Sequence, residues 1–468
     1  MNKTMFIALA TFVYLVVTTL IGMWSVRKTK DTASFMTAKK QLSAWVIGIL
    51  LMSEFIGPGS TLGTAQGGYE TGLSVAWNSS FLAAGFLLYS FLVAPRMNAL
   101  GEYTISGALA RHYGPTVKIL VSITMIIALT TVNVSNVTGG GAILASLFHL
   151  DISTAIYVVM TATTLIVAFG GIRGVSGANI IHASFKYAGL IVVAVTAWLM
   201  VRGTPAFLDR IPPGRWSLVE GSGWAQVLAW LIGNIGAVFS TQYVLQSISS
   251  LPTPDAARRA SLISAATILP IGFLAAFVGV LAKGVFPNIK SVTALPAFFD
   301  VMNPWLVALC SSSLIAAGLV SILASQLGVT ALLMKDFYTP LMKPSDRHAI
   351  WATRLMSVAV GIAPIPFALY VPAMIKTYFF ARSLRTAISV LLLFMLYKPA
   401  MASRTGGAIA LSVAVLATIA WFVAGNPFGI DNMYVALAIP APILLIDWYV
   451  RRCRQQRAAT VLAADSQP

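Results

Sequence analysis

Charge is what this chain has least of. Only 10% of its 468 residues are Asp, Glu, Lys or Arg, whereas a soluble globular protein carries about 25%. With 58% of residues hydrophobic, too few charged side chains remain to coat soluble domains, so most of the chain must be solvated by lipid. Cysteine is also scarce. Its two occurrences, Cys310 in an apolar run and Cys453 near the basic C-terminal end, lie in unlike settings, which excludes a disulfide framework. Low-complexity tracts and segments long enough for a soluble domain are missing too. The net charge of +17 therefore has no soluble domain on which to build a basic groove, and nucleic acid is not an expected partner.

What is present is a succession of long apolar runs. A helix needs roughly 20 apolar residues to cross a bilayer, and about thirteen such runs occur. They cover 4–26, 43–66, 73–95, 117–148, 152–171, 178–201, 223–247, 260–282, 304–334, 350–371, 374–396, 404–424 and 431–449. The expectation is an all-α polytopic membrane protein. Lys3 before an apolar stretch suggests a secretory signal, but the run is too long for one, and Arg27, Lys28, Lys30, Lys39 and Lys40 follow it. A retained first helix with its N-terminus outside is expected instead. Inside segments then hold roughly twenty basic residues and outside segments about seven, the asymmetry of cytoplasmic loops. The charge is thus mostly a topology signal for a multi-pass protein of the plasma membrane, with a cytoplasmic basic tail over 451–468. The longest polar connections, 203–222 and 283–303, fall outside.

Two interruptions at membrane depth point to a site. A proline ring removes a donor and clashes with the preceding turn, and glycines weaken a helix further. Ile56-Gly57-Pro58-Gly59-Ser60 lies near the middle of the second run, and Gly233-Asn234-Ile235-Gly236 interrupts the seventh. In lipid such breaks survive only where they line a cavity or are buried in protein. They lie five spans apart, as expected of two inverted five-helix repeats whose first helices are discontinuous, and such pairs mark a transporter's central site. The alternative reading is that the glycines serve close helix packing.

Several segments resemble the sodium/solute symporters, a family with the leucine-transporter-type fold. They are LSAWVIGILLMSEFIGPGSTLGTAQGGYETGL around the first break, TGGGAILASLF, AFGGIRGVSGANIIHASFKYAG, FSTQYVLQSISSLPTPDAARRA and LVSILASQLGVTALLMKDFYTP, the last ending in the family's Asp-x-Tyr as Asp336 and Tyr338. The resemblance runs through roughly 5–400. It implies a five-plus-five inverted-repeat core, with repeats near 43–201 and 223–396, discontinuous helices 2 and 7, and extra helices over 4–26, 404–424 and 431–449, in one transmembrane domain spanning 1–450.

By the same resemblance, a sodium ion would sit between the second and ninth helices. Ser53 and Ile56 would supply backbone carbonyls, Ser321 a hydroxyl, and Ala317 or Gly318 a further carbonyl. Two departures from the family pattern are visible. The paired hydroxyl residues of the ninth helix are here Val320-Ser321-Ile322, and the Thr-Asp pair of the sixth is Ala178-Asn179. Glu54 is the one acidic residue with long apolar sequence on both sides. An ionisable group at that depth is functional by default, so Glu54 is expected to carry a proton or to partner the cation. For the solute the resemblance points to Gly57, Gly59 and Ser60 with Asn234, Ser240, Thr241 and Gln242, and to Gln246 one turn on. Trp77 and Ser79 are weaker candidates. Asn179, His182 and Lys186 either line a cytoplasmic exit path or, for the last two, snorkel from an inner helix end. Lys376, Arg382 and Arg385 either favour an anionic solute or are loop charges beside a misplaced span. His112, His149 and His348 fall in loops or at span ends and have no assigned role.

The expected function is import of a small organic solute by cation-coupled secondary active transport with alternating access. A carboxylate-bearing solute is favoured, because half-helix N-termini and nearby Arg attract anions. The coupling ion is sodium, or a proton in a symporter that uses Glu54; no other cofactor is expected. A channel or transporter-like sensor is the other reading. An enzyme would need clustered His, Cys, Asp or Glu at membrane depth, and only Glu54 and His182 qualify, on different spans.

Overall fold

The computed structural model describes residues 3–148, 150–370 and 374–465; His149 and the Lys376 side chain lie outside what it describes. Among the described residues every regular element is helical. In chain order the principal helices are α1 (Lys3–Trp24), α2 (Ala44–Phe55), α3 (Pro58–Thr71), α4 (Ala76–Leu92), α5 (Ile105–Phe148), α6 (Ile152–Gly203), α7 (Gly223–Ser240) and α8 (Gln242–Ile248). They continue with α9 (Pro254–Val285), α10 (Pro304–Leu332), α11 (Asp346–Ile362), α12 (Met374–Tyr397), α13 (Arg404–Val423), α14 (Asn432–Ala438) and α15 (Pro440–Asp465).

Among the described residues, eleven helices are long and apolar enough to cross a membrane, or twelve if the bent pair α2 and α3 counts as one span. The apolar runs suggested thirteen. The difference lies in α6, whose 52 residues would reach about 78 Å if straight, far beyond the roughly 30 Å hydrocarbon core. It bends at Gly171, which sits at φ 54°. A Cβ placed on Gly174 would lie 3.3 Å from the Ile166 carbonyl oxygen, eight positions upstream, so the chain doubles back there. The runs 152–171 and 178–201 are two limbs of one continuous element.

Small residues let the helices meet closely, as lipid-embedded packing requires. A Cβ on Gly68 would lie 2.3 Å from the Ala276 carbonyl oxygen, and one on Gly189 would lie 2.3 Å from the Ser313 Cβ. The first contact locks α3 onto α9; the second locks α6 onto α10. Helix α10 is the centre of the molecule: 89% of its most apolar window is buried, against 33% for the α1 span, 33% for α13 and 22% for the last span. The span over 346–369, expected inside the core, is as open, with 28% of its window buried. At one end of the bundle the connections 203–222 and 283–303 close over α3, with Arg215 Nη1 donating to the Tyr69 carbonyl at 2.6 Å and the Tyr69 hydroxyl to the Pro287 carbonyl at 2.7 Å. At the other end Lys335 and Arg111 both reach Glu102.

Candidate functional site

The first break falls where the proline predicts. Helix α2 ends at Phe55, α3 starts with Pro58 in its first turn, and the two axes differ by 52°. A helix end leaves its last carbonyls without partners, and inside lipid each must find one. All are accounted for. Met52 O accepts from Ile56 N at 3.3 Å, Glu54 O from the Ser321 hydroxyl at 2.9 Å, and Phe55 O from the Ser60 hydroxyl at 3.0 Å. The remaining two, Ser53 O and Ile56 O, accept from the Lys186 ammonium at 2.6 and 2.9 Å, and its third bond goes to the Ser53 hydroxyl at 2.8 Å.

Lys186 is therefore at the centre of the site. It is 4% exposed and sits on the second limb of α6, so the snorkelling alternative does not hold. A positive group at a helix C-terminus is also the favourable sign for the helix dipole. Glu54, on the last turn of α2, is buried, and its Oε2 has no hydrogen-bond partner. The expected sodium ligands are thus brought together, with Ala317 O receiving a second, longer bond from the Ser321 hydroxyl at 3.4 Å, and a Cβ on Gly318 would lie 3.3 Å from Gly140 Cα. Their oxygens do not fit a free sodium ion: the Ser53 and Ile56 carbonyls are engaged by an ammonium, and the Ser321 hydroxyl donates to a backbone carbonyl. His182, one turn before Lys186, pairs through Nδ1 with the Tyr14 hydroxyl, while Asn179 has no hydrogen-bond partner on either amide atom. All three expected exit-path residues are buried, so no open path runs past them in this structure.

The second break is displaced from its expected position. Helix α7 continues through Gly233-Asn234-Ile235-Gly236 and ends at Ser240, with Thr241 extended at φ −67°, ψ 129° before α8 begins. The glycines serve packing instead: a Cβ on Gly233 would lie 1.8 Å from Met433 Sδ, and one on Gly236 2.7 Å from Thr386 Oγ1. Hydroxyls make the break. Ser240 Oγ donates to Gly236 O at 2.9 Å and Arg385 O at 2.6 Å, and the Thr241 hydroxyl donates to Ala237 O, competing with the backbone ladder.

Around this second break the structure gathers residues from α4, α7 and α12. Arg385 Nη1 donates to Thr241 Oγ1 at 2.9 Å, Arg382 Nη1 to Asn78 Oδ1 at 3.1 Å, and Asn234 Nδ2 to Asn78 O at 2.9 Å. Both arginines are buried inside α12, so they are not loop charges. Gln242 binds Ile105 N and Tyr103 O at 2.9 Å each, and Gln246 Nε2 donates to Met36 O at 3.1 Å while its buried Oε1 has no partner. They tie α8 to neighbouring backbone. Trp77 stacks on Phe81 and donates to Leu218 O at 2.9 Å, an anchor for the 203–222 connection, while Ser79 reaches Thr64 and Ser60 O. Gly57 is tight against Ser321 Oγ and Asn136 Oδ1, whereas Gly59 faces open space with nothing within 4 Å of a Cβ.

Asn133 and Asn136 were not singled out in the sequence. They lie on α5, buried, with Asn133 Oδ1 and Asn136 Nδ2 lacking hydrogen-bond partners. Two amides three residues apart in an apolar run share a helix face, and that spacing was the signal available.

The chain is similar to known proteins. The osmoregulated proline transporter OpuE of Bacillus subtilis is 23% identical over 76% of this chain and 76% of its own length. The sodium/proline symporter of Escherichia coli is 22% identical over 77% of this chain and 76% of its own. A solved structure of a Na+-coupled sialic acid symporter, substrate-bound and outward-open, superposes with a TM-score of 0.81 at 16% identity, covering 94% of this chain and 96% of that one. That neighbour establishes the fold. Residues 35–414 match the family model of the sodium:solute symporters, and this chain, a cation-coupled solute importer by descent, belongs to that family.

Proposed function

We propose that the chain imports a small carboxylate-bearing organic solute across the plasma membrane and holds it between the two helix breaks. The observation that carries this reading is the buried Arg385 guanidinium on Thr241 at 2.9 Å, with Arg382 one turn away on the same helix. A guanidinium is planar, permanently charged and forked to match a carboxylate. Asn136 Nδ2 and Asn234 Oδ1, both buried without partners, offer a donor and an acceptor for the rest of the solute. The N-terminus of α3 adds a dipole of the right sign.

Transport follows from rocking of the repeat near 43–201 against that near 223–396, with the helices over 4–26, 404–424 and 431–449 outside the moving core. The N-terminus is outside and the tail 451–468 is cytoplasmic. Family membership implies sodium as the coupling ion; the proton alternative rests on Glu54.

The test is ligand-induced thermal stabilisation of purified protein with a panel of carboxylates, L-proline and sialic acid first because similar proteins carry them, followed by uptake into proteoliposomes. A carboxylate that stabilises the protein and accumulates uphill supports the reading. Flux without accumulation would make the protein a channel, and binding without flux a sensor.

A further inference from the structure

We propose that the Lys186 ammonium is the resident cation of the first helix break, so that this chain needs no sodium ion there. The inference rests on the transport reading above and names the group that sets its ion specificity.

An ammonium has three donors and no acceptor. Here the two carbonyls that would face sodium, Ser53 O and Ile56 O, and the Ser53 hydroxyl beside them take all three, at 2.6, 2.9 and 2.8 Å, the range of charge-assisted bonds. The side chain cannot readily swing away, because its backbone is held against the central helix. Lys186 O accepts from the Ser313 hydroxyl at 3.2 Å, Gly189 O accepts from Cys310 Sγ at 3.5 Å, and Gly189 lets α6 approach Ser313 more closely than any Cβ would allow. The remaining groups agree. The hydroxyl of Ser321 donates to Glu54 O at 2.9 Å, and Val320 beside it has no oxygen to offer. A sodium ion at these oxygens would have to sit against a second, tethered positive charge. The geometry is that of a cation site whose diffusible ion has been exchanged for a covalently attached one.

The experiment uses purified full-length protein, melted in sodium, potassium and choline chloride at equal ionic strength with no solute added. The wild type is expected to melt at the same temperature in all three salts. Lys186→Ala is expected to melt lower in choline and to recover most of that loss with sodium alone, saturably, because the vacated oxygens can then take the free ion. A saturable, sodium-specific rise in the wild type that Ser53→Ala abolishes would overturn the proposal, as would Lys186→Ala melting like wild type in choline. Should the Lys186 variant not fold, equilibrium sodium-22 binding to wild type and Ser53→Ala decides: saturable binding weakened by Ser53→Ala overturns the proposal, and binding that is absent or unchanged by it supports it. No solute enters the measurement, so a wrong solute class and a wrong cation assignment give separate failures.

Discussion

The Arg385 guanidinium on α12 donates to the Thr241 hydroxyl at 2.9 Å, so each break in this protein is met by a buried cation from another helix: Arg385 at the second, Lys186 at the first. The two cations differ in shape. The three donors of Lys186 go to protein oxygens, whereas the planar fork of a guanidinium matches a carboxylate.

This difference predicts separable mutants. Arg385→Met is expected to lower affinity for a carboxylate solute at least tenfold, equivalent to about 1.4 kcal/mol. Thermal-shift titration with the best solute of the panel measures it, and an unchanged affinity would show that the arginine only braces Thr241.

Ser321 spans α10 and α2 through its bond to Glu54 O. Ser321→Ala leaves that buried carbonyl without a partner, at an expected cost of about 1–3 kcal/mol. Denaturation of the purified variant checks it; wild-type stability would mean that something else takes up the carbonyl.

Glu54→Gln removes a buried carboxylate while keeping size. The expected outcome is loss of uphill accumulation, or accumulation that no longer depends on pH or sodium, in proteoliposomes. Wild-type accumulation with both dependences intact would refute a coupling role for this carboxylate.

Two glycines on α3 should behave oppositely. Gly68→Ala would place a methyl 2.3 Å from the Ala276 carbonyl oxygen, and overpacking of that kind costs about 1–3 kcal/mol. Gly59→Ala meets nothing within 4 Å and is expected to leave stability unchanged or slightly raised while altering solute affinity. Melting and ligand titration of the pair separate packing from binding; equal melting of the two variants would contradict the close contact at Gly68.

Glu102, in the connection before α5, gives a pH signature. Burial alone would raise its carboxyl, but the Lys335 and Arg111 charges outweigh that and hold it below the usual carboxylate range. A depressed folded value means stability that is present above the unfolded value of about 4.3 and is lost as pH falls through the folded one. Wild type should therefore outmelt Glu102→Gln near neutral pH, with the gap closing under acid. A gap that is independent of pH would remove the ion pairs from the account.

Much of the architecture was legible because lipid imposes strict rules. Apolar runs and the proline at 58 act locally; most of the runs coincide with long apolar helices, and the proline marked the first break. The exceptions are equally physical. Gly233 and Gly236 are closed over by Met433 and Thr386, so glycines that suggested unwinding are contact points. Gln242 carried the right spacing for a solute face, yet backbone groups of another segment took its amide.

The sequence by itself determined the solvent, the helical class, the family pattern and the first break, since these depend on neighbours within a turn or a span. Only the tertiary structure decided what occupies the cation site. Lys186 and Ser53 are separated by 133 positions, and nothing along the chain says that the α2 carbonyls freed by Pro58 and the ammonium of α6 will point at each other. That pairing follows from burial, because a charge and carbonyls excluded from water must satisfy one another or leave the membrane interior.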